Sequence, residues 1–266
     1  MTLFDPSPEA APPLGPLARV RMLIAYDGSR FHGFAVQPGH RTVAGVLGEA
    51  IGKVVRHPVE LTCAGRTDRG VHAWGQVVSL DVASQVDLEA LHRALLKLCG
   101  PEVVVREVSV AEPDFHARFS ATARTYRYTV LNRAVPDPFR AATAWHVPAP
   151  LDVELLTLAC DPFLGEHDFS AFCRVPKVRA GEVPPSLVRR VLRAGWTDLE
   201  DGVLCFEIEA TAFCHQMVRS IVGTVVAAGR ADVRAGDIRG ILRSRKRSSA
   251  APLAPSHGLC LWRVTY

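Results

Sequence analysis

Lysine is scarce in this chain. It supplies 4 of the 31 basic residues, and arginine the other 27. No two of the 7 cysteines are spaced Cys-x-x-Cys, and their number is odd. A structural zinc site and a disulfide framework are therefore disfavoured. No apolar run approaches the ~20 residues that span a bilayer. The opening MTLFDPSPEAAPPLGPLA has no basic region followed by an apolar core, so it does not read as a secretory signal. The expectation is a reduced, cytoplasmic setting with no membrane contact. With 48% hydrophobic and 22% charged residues, wholesale disorder and fibrous architectures are excluded. A chain of 266 residues is long enough to fold without staples.

The net charge of +4 permits a nucleic-acid partner without demanding one. The excess of arginine matters more than the total. Its planar fork pairs bidentately with phosphate and stacks on bases, which lysine does not do.

Pro, Ala and Gly in 1–17 suit a mobile tail. Val20 to Tyr26 reads as a strand, and Thr42 caps a helix whose apolar residues Val43, Val46, Leu47, Ala50, Ile51 and Val54 fall at helical spacing. Val59 to Ala64 and Gln76 to Val82 read as strands. Asp87 caps a helix carrying Leu88, Leu91, Leu95 and Leu98, and Glu102 to Val110 and Thr125 to Leu131 are further strands. Through Val110 the order is strand–helix–strand–strand–helix–strand, the split βαβ pattern of a ferredoxin-like fold. The segment 132–150, with four prolines, reads as a crossover. Beyond it come a helix over Leu151 to Cys160 and strands over Leu187 to Thr197 and Val203 to Thr211. Helices follow near Cys214 to Ala228 and Ala235 to Arg243, then a last strand over Leu259 to Val264. The expected architecture is α+β. Two ferredoxin-like halves, 18–131 and 151–266, share a continuous, mixed, mainly antiparallel sheet with helices on one face and a central cleft.

The densest polar knot is Gly65-Arg66-Thr67-Asp68-Arg69-Gly70-Val71-His72, between two of these strands. Asp68 lies between two arginines, and adjacent cations favour its ionised form. An ionised carboxylate is a poor general acid but a competent nucleophile. On composition alone the stretch reads better as a turn with inert surface ion pairs.

GRTDRGVHA resembles the signature of the tRNA pseudouridine synthase A family, the enzymes for positions 38, 39 and 40 of the anticodon stem-loop. Five more blocks resemble family motifs in the family order: Tyr26 to Phe34, Arg118 to Tyr128, His167 to Phe172, Phe213 to Gly223 and Ala254 to Leu261. The chain departs from the family at Phe34-Ala35-Val36-Gln37, and at Cys214 and Gln216 on either side of His215. The stretch 175–186 matches no family block.

The resemblance implies an isomerase that breaks the N-glycosidic bond of a uridine and rejoins the base through carbon 5. It makes Asp68 the catalytic aspartate and Arg219 the cation that holds it charged. Three routes are open to Asp68: attack on the anomeric carbon, addition to the uracil ring, or abstraction of a ribose proton. Each needs the carboxylate ionised at the sugar–base junction. By the same resemblance Tyr126 lies under the target base, where stacking contributes roughly 1–3 kcal/mol, and Leu259 closes an apolar wall. Arg66 fills the space of the flipped nucleotide or holds its phosphate, since a stacked base must be extruded before chemistry. Arg69 and His72 join the substrate contacts. No metal and no organic cofactor are implied. The partners are tRNA and a second copy of the chain. The arginines 239, 243, 245 and 247 become candidate phosphate contacts. A non-catalytic RNA-binding protein is the alternative, but a pure binder gains nothing from a carboxylate facing phosphates. A glycoside hydrolase generally uses two carboxylates, and the signature offers one.

Overall fold

The computed structural model describes residues 15–175, 178 and 183–266. The expected tail lies outside them up to residue 14, and six residues of the 175–186 stretch lie outside as well. The strands are β1 (Leu17–Tyr26), β2 (Thr62–Cys63), β3 (His72–Ala83), β4 (Val103–Val110), β5 (Ala123–Leu131), β6 (Trp145–His146), β7 (Gly165–Asp168), β8 (Val188–Asp198), β9 (Val203–Ala210) and β10 (Leu259–Thr265). The α-helices are α1 (Val43–Val55), α2 (Leu88–Cys99), α3 (Val153–Leu158), α4 (Met217–Gly229) and α5 (Ile238–Ser244).

One ten-stranded sheet runs β4-β1-β3-β10-β5-β9-β8-β7, with β2 beside β3 and β6 beside β5. Two pairings are parallel, β10 with β3 and β6 with β5, and the rest are antiparallel. The α+β class and the mixed, mainly antiparallel sheet hold. The last strand inserts between β3 and β5, placing the end of the chain against the start of β3. Cys260 pairs with His72 and Leu261 with Ala73.

Local chemistry sets the helix starts. Thr42 accepts from the Gly45 amide at 3.2 Å, and Asp87 accepts from Glu89 and Ala90 at 2.9 and 3.0 Å. Each such cap contributes about 1 kcal/mol. α1 and α2 pack on each other, as do α3 and α4. α4 is buried at every residue except Arg219.

Several boundaries differ from the sequence reading, for physical reasons. The strand expected over Val59 to Ala64 shrinks to two residues, because the Gln76 side chain takes over the ladder beyond them. It accepts from the Gly65 amide at 3.4 Å and donates to the Gly65 carbonyl at 2.6 Å. β3 is longer than expected and buried on both faces, so alternation understates it. β1 begins earlier than expected, since Leu17 already pairs with Ala83. α3 is shorter, because Asp161 to Phe163 tightens into a 3₁₀ turn at Pro162. α4 begins three residues late, because Gln216 takes a left-handed conformation with φ of 65°. β6 and β7 were not anticipated. β6 lies inside the supposed crossover, and β7 contains His167 and Asp168 of the HDF motif.

Candidate active site

The loop from Ala64 to Val71 is fixed from three sides. Tyr26 and Thr67 share a hydrogen bond of 2.7 Å, deep in the core. Gly28 and Gly33 let the Tyr26 to Phe34 segment lie against this loop. A Cβ on Gly28 would collide with the Val71 carbonyl. Gly33 has φ of +96°, and a Cβ there would stand 2.7 Å from the Thr67 carbonyl. From the other side the buried Arg124 guanidinium donates to the carbonyls of Ala64 at 3.1 Å, Arg118 at 2.5 Å, Ala121 at 3.2 Å and Thr211 at 2.8 Å. No carboxylate pairs with it among the described residues, and burial lowers its pKa.

These contacts open a cleft of about 1030 Å³. Asp68 lies in its wall between two basic side chains from one stretch of chain. His215 Nε2 is 3.2 Å from Oδ1, and Arg219 Nη1 is 3.8 Å from Oδ2. Arg219 is anchored by Nε, which donates to the Ala254 carbonyl at 2.8 Å. The rest of α4 is buried, so this arginine projects from an apolar helix toward the carboxylate.

Tyr126 and Leu259 line the same cleft from adjacent strands, with Leu259 opposite Tyr128 and Leu261 opposite Tyr126 in the register of β10 on β5. The Tyr126 ring meets Phe213 edge-on, with centroids 5.0 Å apart at 84°. Burial pushes the Tyr126 phenol well above its ordinary pKa, so it stays protonated. Arg66 is exposed at the lining.

The structure thus brings together Asp68, Arg219, Arg66, Tyr126 and Leu259. Arg69 is exposed and outside the cleft lining. His72 is buried and also outside it. Its Nδ1 accepts from the Gly28 amide at 3.1 Å, and Nε2 faces the carbonyls of Ala142 and His257, both at 3.1 Å. That ring ties three segments together and does not face the cleft. His215 and Arg124 are the residues the sequence reading passed over. Both lie inside motif blocks, four residues before Arg219 and two before Tyr126, and that spacing was the available signal.

Among the described residues no group of three His, Cys, Asp or Glu side chains is arranged to hold a metal ion. No helix among them is long and apolar enough to cross a membrane.

A carboxylate between an arginine and a histidine, in a cleft also lined by an aromatic and an aliphatic side chain, suits chemistry on a planar ring more than simple retention of a polyanion. This is the architecture of an enzyme. A family model described as tRNA pseudouridine synthase matches residues 22–120 and 159–266, and the chain belongs to that family. Its members are isomerases. A tRNA pseudouridine synthase A of Bacillus velezensis is 37% identical over 93% of this chain and 99% of its own length. One of Geobacillus kaustophilus is 39% identical over 93% and 94%, and one of Frankia casuarinae is 40% identical over 94% and 90%.

Proposed function

We propose that the chain converts uridine to pseudouridine at positions 38, 39 and 40 of the tRNA anticodon stem-loop, with Asp68 as the catalytic aspartate. The observation that carries this reading is the Asp68 carboxylate in the cleft wall, flanked by His215 and Arg219 and facing the same space as Tyr126 and Leu259.

In the isomerisation the bond from the ribose C1′ to N1 breaks and a bond from C1′ to C5 forms. The C5 hydrogen leaves as a proton, and N1 gains one. Arg219 and His215 flank the Asp68 carboxylate and orient it toward the sugar–base junction. Tyr126 offers its face to the uracil, and Leu259 excludes water beside it. Arg66, at the rim, takes the space of the extruded nucleotide or its phosphate. Arg69 and His72 act through the loop. Arg69 offers its charge to the backbone of the RNA, and His72 holds the loop in register.

The same proposal includes a cytoplasmic homodimer carrying tRNA on basic surface, and two ferredoxin-like halves, 18–131 and 151–266. The pairing of α1 with α2 and of α3 with α4 supports that division.

The test is tritium release from tRNA labelled at uracil C5. Release by the wild type and its loss in Asp68→Asn is the expected result. Binding of tRNA without release from any substrate would favour the non-catalytic RNA-binding alternative.

A further inference from the structure

Phe119 is 75% exposed, and among the described residues it is the only exposed aromatic that lines the cleft. The other two exposed rings, Trp74 and Phe139, lie outside the lining. A single exposed ring is ordinary on a protein surface. This one is set apart by its place in the cleft wall and by how firmly its loop is held.

The loop 116–120 closes on itself. The His116 amide donates to the Ser120 hydroxyl at 3.0 Å, and the Ser120 amide donates to the His116 carbonyl at 2.9 Å. The amides of Arg118 and Phe119 both donate to His116 Nδ1 at 3.2 Å. Ala117 is pinned at both polar atoms. Its amide donates to the Ser79 hydroxyl at 3.1 Å, and its carbonyl accepts from the Tyr266 hydroxyl at 2.7 Å. The Arg118 carbonyl accepts from Arg124, the same guanidinium that holds Ala64 at the start of the signature loop. Phe119 and Asp68 are therefore fixed in place through one shared side chain.

The ring is also backed by its neighbours. The His116 imidazole stacks on it, with centroids 4.4 Å apart at 28°. The exposed Arg118 guanidinium lies 5.4 Å from its centroid. Around it the cleft is basic. Arginines 66, 118, 124, 189 and 219 line it against one carboxylate, Asp68. Such a wall suits a polyanion, and a rigid exposed ring within it suits the face of a base. At about 1030 Å³ the cleft exceeds the ~300–1,000 Å³ that encloses one drug-sized ligand, so it has room for a nucleotide beside the uridine.

We propose that Phe119, backed by His116 and Arg118, is a stacking platform for the base next to the target uridine. Extrusion of the uridine breaks its stack with that neighbour and uncovers the neighbour's face. Phe119 covers it, and Arg118 faces the phosphate of the same nucleotide. Every base has a π-face, so the platform steadies the strand without reading its sequence. This subsite rests on the reading of the Asp68 cleft as the uridine-isomerising site.

The experiment uses the full chain and an anticodon stem-loop RNA carrying 2-aminopurine on one side or the other of the target uridine. Stacking quenches the fluorescence of this base. Binding to the wild type should quench one of the two probes. Phe119→Ala and Phe119→Leu should lose that quenching and raise Kd and KM for tRNA about 5- to 150-fold. The loss should fall on KM far more than on kcat, because the stack forms in the bound ground state and persists in the transition state. Phe119→Tyr keeps a ring and should restore both readouts. Quenching that survives in Phe119→Ala overturns the platform. So does a Phe119→Leu variant that binds like the wild type, since leucine keeps the apolar bulk without the ring. A wild type that quenches a probe but releases no tritium from any tRNA instead sinks the isomerase reading of Asp68.

Discussion

Arg219 Nη1 stands 3.8 Å from Oδ2 of Asp68 while its Nε is tied to the Ala254 carbonyl at 2.8 Å. One planar fork therefore fastens the closing segment of the chain to the signature loop. Arg219→Lys keeps the charge but loses the fork, so it cannot serve both partners at once. Losing one hydrogen bond from a charged group costs about 1.5–3 kcal/mol, so kcat/KM should fall roughly 10- to 150-fold. Steady-state tritium release measures it. Wild-type kinetics in Arg219→Lys would show that charge alone suffices.

Asp68→Asn separates catalysis from binding. It removes the negative charge from a cleft flanked by His215 and Arg219. The rate should fall by roughly 100- to 10,000-fold, the range for loss of a participating acid or base. Affinity for tRNA should hold or tighten, because a carboxylate repels phosphate. Filter binding beside single-turnover rates distinguishes the two. A variant that binds much more weakly while turning over normally contradicts the assignment.

The sequence disclosed Asp68, Arg219, Tyr126 and Leu259 through separate motif blocks, and the sheet carries them to one cleft. Tyr126 and Leu259 arrive on adjacent strands because β10 inserts beside β5. His215 stayed hidden because its orientation depends on Gln216, whose left-handed backbone delays the start of α4. Arg124 stayed hidden because its partners are four carbonyls, and a backbone acceptor leaves no mark in side-chain chemistry. His72 misled for the opposite reason. It sits in the signature, but its neighbours come from residues 28, 142 and 257, far apart in sequence.

Gly33 holds the N-terminal motif against the signature loop. Gly33→Ala meets two penalties, a positive φ of +96° and a Cβ 2.7 Å from the Thr67 carbonyl. Strain of this kind costs about 1–3 kcal/mol. Urea unfolding should show a lower midpoint with an unchanged slope, and activity should drop as Thr67 and Asp68 shift. An unchanged midpoint would mean that the loop relaxes freely.

Asp168 sets a low-pH limit on the second half of the molecule. Its Oδ1 accepts from the Ser170 hydroxyl at 2.5 Å and from the Ser170 amide at 2.9 Å, and Oδ2 faces Arg245 Nε at 3.0 Å. The Ser170 hydroxyl is the main reason its pKa lies below the ordinary 3.8, and Arg245 adds to it. A carboxylate depressed by folding stabilises the protein fully above its unfolded value, and that contribution is lost as pH falls through the folded value. Asp168→Asn should therefore be less stable than wild type near neutrality, and the gap should narrow below pH about 4. Urea midpoints from pH 3 to pH 7 measure it, and a gap that widens on acidification would contradict the linkage.

Arg239 and Arg243 are both exposed on α5, and neither makes an ion pair among the described residues. Their neighbours are committed: Arg245 pairs with Asp168, and Arg247 donates to the carbonyls of Ala250 and Ala251. The cluster that looked uniform in sequence therefore splits into structural arginines and arginines available to RNA. Each phosphate neutralised contributes about 0.7–0.9 to the slope of log affinity against log salt. Replacing both Arg239 and Arg243 by alanine should reduce that slope by about 1–2 and weaken tRNA binding most at low salt. Arg247→Ala should instead lower the unfolding midpoint and leave the slope nearly unchanged. A double variant with the wild-type slope would remove α5 from the RNA-binding surface.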